Sequence, residues 1–320
     1  MESLRRVSKT KLVMAGLVRP LIEPRLPEWV EPHWFMTREE ALALAPMAEI
    51  GWFDMYDKAV MAEVIAAASN LKWLNSIYAG VDHLPIDVLR ERGVMLTNGA
   101  GINAITIAEY VVMGMLNIAK GYRDVVRAQD RHEWLTDSPG KVELFGSKAL
   151  LLGYGEIGKL VEERLNAFGV ETSIVRRTPG PNALGLDQWR ARLGEFDWII
   201  LAVPSTPETE AMIGATELTA MKSNAVLVNI ARGEVVDQGA LVAALRQKQI
   251  AAAFLDVTTP EPLPADHPLW TLDNAHISMH LSGRAQDKMF VRSATRFFEN
   301  LERYRKGEPL QPLVNLDLGY

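Results

Sequence analysis

The sequence predicts an α/β fold of two doubly wound parallel-sheet domains, and three observations carry the prediction. Short apolar runs alternate with amphipathic helical patterns along the chain, as strands do when helices cover both faces of a sheet. The run Gly153-Tyr154-Gly155-Glu156-Ile157-Gly158 follows an apolar stretch, Ala149-Leu150-Leu151-Leu152, and opens the helical pattern Lys159-Leu160-Val161-Glu162-Glu163-Arg164-Leu165. A length of 320 residues, 48% of them hydrophobic, suits about two domains with a core each.

In the first hundred residues the strand candidates are 11–17, 33–36, 50–53, 73–77 and 94–97, with amphipathic segments at 39–45, 59–68 and 85–92 between them. Asn103 is placed to cap a long helix over about 104–127, whose apolar residues recur at helical spacing. That helix carries the chain into a second unit with strands expected at 148–152, 172–175, 198–203, 225–230, 252–256 and 275–279. Asp137-Ser138-Pro139-Gly140 reads as a turn before this unit's first strand. A last helical pattern, 285–305, stops before Gly307 and Pro309 and is expected to return to the first unit. The predicted domains are therefore 1–102 plus 284–320, and 103–283, with a cleft between them where a cofactor and a small substrate would meet.

Composition excludes several function classes. A formal net charge of -6 argues against nucleic acid as a general partner. No apolar run reaches membrane-spanning length, and the N-terminus, Met1-Glu2-Ser3-Leu4-Arg5-Arg6, lacks the apolar core of a signal peptide. Zero cysteines exclude disulfides, thiolate catalysis and a cysteine zinc site. The expectation is a cytoplasmic protein.

The glycine run has the context of a dinucleotide-binding loop: a strand before, a helix after, then a second apolar strand closing a βαβ unit. Gly153 permits the tight turn, Gly155 lets the backbone approach a pyrophosphate, and Gly158 allows close helix packing; Glu156 and Ile157 open the helix whose N-terminus would face the phosphates. Where that second strand ends, a protein that takes the cofactor without a 2'-phosphate usually carries Asp or Glu. This chain has Arg176-Arg177-Thr178, two guanidiniums and a hydroxyl suited to a 2'-phosphate. The prediction is NADP preferred, with NAD possible; a solvated strand end is the other reading of these residues.

Three groups follow in the last third: Arg232 in Asn229-Ile230-Ala231-Arg232-Gly233, Glu261 in Asp256-Val257-Thr258-Thr259-Pro260-Glu261-Pro262-Leu263, and His280 in Ser278-Met279-His280. An anion binder, a carboxylate and an imidazole are what is needed to hold a carboxylate substrate and move a proton at its neighbouring carbonyl. Behind a dinucleotide loop, they point to hydride transfer to a 2-keto acid. His276, four residues before His280, would face the same side of an extended segment. By residue type alone either histidine could be the acid, or both could ligate a metal with Glu261, although a nicotinamide reaction needs no metal. Trp52, Phe53, Met55 and Tyr56 follow a strand end and either line a substrate side chain or pack. Asp82 and His83 either cap a helix and face solvent or join the site.

The order and spacing of these pieces resemble the D-isomer-specific 2-hydroxyacid dehydrogenases. The resemblance covers nearly all of the chain. It is carried by Ala79-Gly80-Val81-Asp82, Asn98, Ala108-Glu109, the glycine run, Leu201-Ala202-Val203-Pro204-Ser205-Thr206-Pro207-Glu208-Thr209, Met221-Lys222, Val228-Asn229-Ile230-Ala231-Arg232-Gly233, Asp256-Val257, Glu261 and His280. It implies a flavodoxin-like substrate domain, a Rossmann cofactor domain, and reduction of a 2-oxo acid to the D-hydroxy acid. The separations, 29 residues from Arg232 to Glu261 and 19 from Glu261 to His280, are similar to those of the glyoxylate and hydroxypyruvate reductase branch.

By the same resemblance Arg232 binds the substrate carboxylate and polarises the keto oxygen, His280 donates a proton to it, and Glu261 bonds the other imidazole nitrogen, fixing its tautomer and raising its pKa. Backbone amides at Ala79, Gly80 and Val81 hold the carboxylate. Asp256 holds the nicotinamide amide, Val203 and Pro204 flank the adenine side, and Thr106, Thr209 and Ala231 are further cofactor positions. Trp134 resembles a tryptophan that reaches a neighbouring subunit's site, and a homodimer is implied. Two departures stand out: the family commonly has Pro before the histidine and an aromatic after Asp-Val, where this chain has Met279 and Thr258. Two other functions share the architecture, a dehydrogenase of another oxyanion substrate and a dinucleotide-sensing corepressor-like binding protein.

Overall fold

Short runs of three to six residues make the first sheet. In the computed structural model, which describes residues 9–55, 57–81, 83–176, 183–284 and 286–318, the chain divides into two units, Met1–Asn103 with Ala285–Tyr320, and Ala104–Arg284. The first unit holds β1 (Thr10–Ala15), β2 (Val30–Phe35), β3 (Ile50–Trp52), β4 (Trp73–Asn75) and β5 (Met95–Thr97), ordered β2-β1-β3-β4-β5 and paired in parallel throughout. This is the doubly wound flavodoxin-like order. Its helices are α1 (Arg19–Ile22), α2 (Arg38–Leu44), α3 (Lys58–Ala67) and α4 (Ile86–Glu91), with the last helix of the chain, Gln286–Lys306.

Alternation along β1 divides the unit's core in two. Val13 packs with Ala41, Met61, Val64 and Leu89 of α2 to α4. Leu12 and Met14 face the opposite cluster, where Trp52 and Trp73 meet Phe297 and Leu301 of the last helix. Phe297 is fully buried, its ring centroid 5.3 Å from those of both Trp52 and Trp73. Thr37 caps α2 with its side chain while Glu40 returns the bond to the Thr37 amide, a complete capping box.

The second unit begins with α5 (Ala104–Ala119) and α6 (Tyr122–Asp130). Its sheet contains β6 (Lys148–Leu152), β7 (Glu171–Val175), β8 (Ala183–Leu184), β9 (Trp198–Leu201), β10 (Val226–Asn229), β11 (Ala252–Leu255) and β12 (Ala275–Ile277), ordered β12-β11-β10-β9-β6-β7-β8 and parallel throughout. The chain order reverses between β6 and β9, the topological switch point of a Rossmann sheet. α7 (Glu156–Ala167), α8 (Ala215–Ala220) and α9 (Gln238–Arg246) complete the unit, and the chain's last helix is α10. Strand residues again alternate: Ala149, Leu151, Ile200 and Val228 pack with α5 and α7, and Leu150, Leu152, Leu201 and Leu227 with the opposite cluster.

Three expectations are corrected. The single helix over 104–127 is two, because Gly121 takes φ 60 and turns the chain between α5 and α6. Asn103 does not cap α5 through its amide oxygen, which is buried without a hydrogen-bond partner. The segment 275–279 is not extended throughout: β12 stops at Ile277, and Met279 and His280 both take left-handed backbone angles, φ 53 and 56. Among the described residues no helix is long and apolar enough to cross a membrane.

Candidate functional site

At the carboxyl end of β6, Gly153 takes φ 100, and a Cβ there would stand 2.4 Å from the Ala202 carbonyl oxygen beside β9. Only glycine makes this turn at this separation. Gly155 precedes α7 with no side-chain cap, and a Cβ at Gly155 would meet nothing within 4 Å. Gly158 lies so close to the Gly153 carbonyl that a Cβ would be 2.5 Å from it. An uncapped helix N-terminus with open space before it fits a pyrophosphate, with the amides of Glu156, Ile157 and Gly158 as donors.

Arg176 follows β7. Its amide donates to the Leu184 carbonyl at 3.3 Å, and its Nε is buried without an acceptor. Arg177 and Thr178 lie outside the described residues. Tyr154, which sequence reasoning passed over, donates its hydroxyl to Glu162. That bond, then burial, holds the phenol above its ordinary range, while the Arg176 charge acts the other way. Across the switch point, Thr209 Oγ1 donates to the Pro204 carbonyl at 2.8 Å and accepts from the Thr206 amide at 2.9 Å, closing the loop that carries the half-buried Val203 and exposed Pro204. Thr106 is half-buried in the first turn of α5.

Beyond β10, Asn229 shapes the loop that carries Arg232. Its Oδ1 accepts from the Ala231 amide at 3.0 Å and its Nδ2 donates to the Arg232 carbonyl at 2.9 Å. Arg232 is half-buried, and one Nη donates to the Ala231 carbonyl at 2.8 Å. Gly233 lets this loop close on the one after β11, since a Cβ there would lie 2.2 Å from the Thr258 carbonyl oxygen. Thr258 in turn donates its amide to Glu261 Oε1 at 3.2 Å.

Glu261 Oε2 and His280 Nδ1 are 2.7 Å apart, with the two side chains 38% and 47% exposed. Burial alone would raise the Glu261 carboxyl, but the bond to His280, the imidazole charge, the Thr258 amide and Arg232 together bring it below the usual carboxylate range. An ionised carboxylate only accepts hydrogen bonds, so Nδ1 carries the proton in this pair and Nε2 is the nitrogen left to exchange one.

Asp256 is 2% exposed and holds the histidine loop. Its Oδ1 accepts from Ser278 Oγ at 2.7 Å, the Leu281 amide at 3.1 Å and the Ser282 amide at 3.2 Å, its Oδ2 accepts from Ser282 Oγ, and its carbonyl accepts from the His280 amide at 2.6 Å. The carboxylate expected to meet the nicotinamide amide thus also bonds the loop over residues 278–282. The departure at Met279 has a physical correlate, because a proline ring cannot adopt φ 53. His276 parts from His280 at this turn and lies in a pocket of about 410 Å³ lined by Met113, Arg123, Trp270 and others. Burial, then the Arg123 charge, pushes its imidazole down to about 4.

In the first unit, Trp52 and Phe53 are 1% exposed and pack in the core, which settles them as core residues. Met55 is half-buried against the same core, and Tyr56 and Asp82 lie outside the described residues. The His83 ring stands edge-on to Tyr78, 5.4 Å between centroids. Ala79 is exposed, Gly80 half-buried and Val81 buried, and Asn98 donates to the Ala79 carbonyl at 2.6 Å. Trp134 is 94% exposed.

A family model described as D-isomer specific 2-hydroxyacid dehydrogenase, NAD binding domain, matches residues 112–282. The chain is 32% identical over 294 residues to a D-3-phosphoglycerate dehydrogenase of Archaeoglobus fulgidus, a match over 90% of this chain and 55% of that relative. It thus spans about half the length of the first curated relatives it matches. It is 32% identical over 277 residues to the glyoxylate reductase/hydroxypyruvate reductase of Homo sapiens, over 82% of each chain. A crystal structure of a D-isomer specific 2-hydroxyacid dehydrogenase family protein from Aeromonas salmonicida is similar with a TM-score of 0.86 at 28% identity, covering 97% of this chain and 100% of that one.

Proposed function

Because the chain belongs to the D-isomer specific 2-hydroxyacid dehydrogenase family, we propose that it reduces a small 2-keto acid to the D-2-hydroxy acid, with NADPH preferred over NADH and glyoxylate or hydroxypyruvate leading as substrate. The observation that carries the proposal is the 2.7 Å bond between Glu261 and His280 Nδ1, with Arg232 acting on the same carboxylate.

A bound nicotinamide supplies the hydride that arrives at C2 of the keto acid. Arg232 pairs with the substrate carboxylate and polarises the keto oxygen. His280 Nε2 gives its proton to that oxygen, and Glu261 stabilises the imidazole that loses and regains it. The amides of Ala79, Gly80 and Val81 hold the carboxylate. Asp256 holds the nicotinamide amide, and its bonds to residues 278–282 also fix the loop that presents His280. Gly153, Gly155, Glu156, Ile157 and Gly158 receive the pyrophosphate; Thr106, Val203, Pro204, Thr209 and Ala231 complete the cofactor positions. The NADPH preference rests on Arg176, whose buried Nε lacks an acceptor, with Arg177 and Thr178 beside it in sequence. A homodimer that covers the exposed Trp134 and Phe145 and a cytoplasmic location belong to the same proposal.

The test is oxidation of NADPH and NADH against glyoxylate, hydroxypyruvate, pyruvate and phenylpyruvate, with 3-phosphoglycerate oxidation assayed in parallel. Turnover of a 2-keto acid with a higher kcat/KM for NADPH supports the proposal. Activity confined to 3-phosphoglycerate favours the oxyanion alternative, which the identity to D-3-phosphoglycerate dehydrogenases keeps in view.

A further inference from the structure

The segment leading into residues 79–81 is fastened by a side chain that none of the roles above uses. Asp54 stands two residues past β3, at the carboxyl end of the middle strand of the five-stranded sheet. Its Oδ2 accepts from the Ile77 amide at 2.5 Å and the Trp52 indole at 2.6 Å, and its Oδ1 accepts from the Ser76 hydroxyl at 2.8 Å. Ser76 Oγ also accepts from the Tyr78 amide at 3.2 Å. The amides of residues 77 and 78 are thereby consumed, whereas among the described residues those of Ala79, Gly80 and Val81 donate to no protein acceptor. The other flank is closed by Gly99, whose amide donates to the Tyr78 carbonyl at 2.8 Å and where a Cβ would stand 1.9 Å from the Ile77 carbonyl oxygen. This strap explains why β4 ends at Asn75 instead of running on through Ile77.

We propose that Asp54 is a positioning residue: by strapping Ser76 and Ile77 to the end of β3, it holds the following loop in the shape that leaves the amides of residues 79–81 free for a substrate carboxylate. The inference rests on the reading that those amides bind the substrate. Successive free amides in a turn form an anion-binding concavity only while the backbone keeps its local shape. Charge-assisted bonds from three donors are a strong way to keep it. Trp52, Ser76 and Ile77 are 1%, 4% and 7% exposed, so little water can substitute for the strap. Burial pushes the Asp54 carboxyl up to about 6 against the lowering effect of its three donors, so at neutral pH it is mostly ionised and accepts all three. An asparagine there keeps one oxygen and turns an NH2 group toward a donor.

The experiment is steady-state reduction of glyoxylate and hydroxypyruvate at saturating NADPH by Asp54→Asn, Ser76→Ala and Gly80→Pro, with the NADPH dissociation constant measured for each. The expected result for Asp54→Asn is a KM for the keto acid raised about tenfold, equal to about 1.4 kcal/mol, with kcat changed less than threefold and NADPH binding less than twofold. Ser76→Ala, which removes one of the three bonds to Asp54 together with the Oγ acceptor of the Tyr78 amide, shows a smaller rise in KM and serves where Asp54→Asn fails to fold; an unchanged KM in it overturns the proposal. A fall in kcat at constant KM in Asp54→Asn, as a smaller folded fraction gives, also overturns it. Gly80→Pro deletes an amide of the loop itself. A raised KM in Gly80→Pro with none in Asp54→Asn removes the strap and leaves the carboxylate reading standing. No rise in Gly80→Pro, or no turnover of either acid by the parent protein, overturns both.

Discussion

Replacing Gly233 by alanine places a methyl group 2.2 Å from the Thr258 carbonyl oxygen and 2.3 Å from Thr259 Oγ1. Ordinary contact begins at 3.4 Å, so the loop carrying Arg232 and the loop carrying Thr258 must part by about 1.2 Å (3.4 against 2.2). The obstacle is backbone, so no rotamer relieves it. The Thr258 amide bonds Glu261 and Glu261 bonds His280, so the shift moves the arginine away from the carboxylate and imidazole together. A displacement near 1 Å in a reacting constellation costs on the order of a hundredfold in rate, or about 2.7 kcal/mol of barrier. Overpacking of this kind also lowers stability by about 1–3 kcal/mol. Initial rates over a range of keto acid at saturating NADPH, paired with a thermal melt, give both quantities. A folded Gly233→Ala protein whose kcat/KM stays within threefold of the parent would refute the claim that this contact sets the geometry of the site.

Three further outcomes are expected. Arg176→Ala raises the NADPH dissociation constant about tenfold, the loss of one charge-assisted bond, and leaves NADH within twofold; equal changes in a fluorescence titration of the two cofactors contradict the assignment. His276 is held below its ordinary 6.5, at about 4, so its contribution to stability is present above 6.5 and lost as pH falls through 4, about 3 kcal/mol in all. His276→Gln therefore loses less stability between pH 7 and pH 4 by urea denaturation, and an identical loss speaks against the burial argument. Phe297→Ala empties the space between Trp52 and Trp73 and costs about 3–5 kcal/mol, read from denaturant midpoints; a cost below about 1 kcal/mol means that the cluster collapses around the gap.

What could be read from the sequence was what repeats along the chain. Leu12, Val13 and Met14 announce a strand buried on both faces, and the two core clusters confirm that assignment by taking alternate residues. The glycine run announces its own turn, because Gly153 needs an angle that other residues avoid. Features made by contacts between distant residues carried no local signal. The Asp256 carboxylate takes its partners from residues 278–282, a contact across β11 and β12 that only the folded sheet creates. That contact holds the left-handed angles at Met279 and His280, which is why an extended segment placing His276 and His280 on one side was the wrong local picture. Gly233 is legible as a turn residue, but its approach to Thr258 spans 25 positions. Asp54 carries no local signal, because nothing in Phe53-Asp54-Met55 separates a buried strap from an ordinary acid after a strand.

On the proposed function, the Glu261–His280 pair delivers the proton in reduction of a 2-keto acid. The most direct measurement is single-turnover NADPH oxidation by Glu261→Gln and His280→Ala beside the parent protein, with NADPH affinity determined for each. The expected result is a rate lowered about a hundredfold or more in both variants, the scale of general acid catalysis, with cofactor affinity within twofold. Parent-like rates in either variant would contradict it.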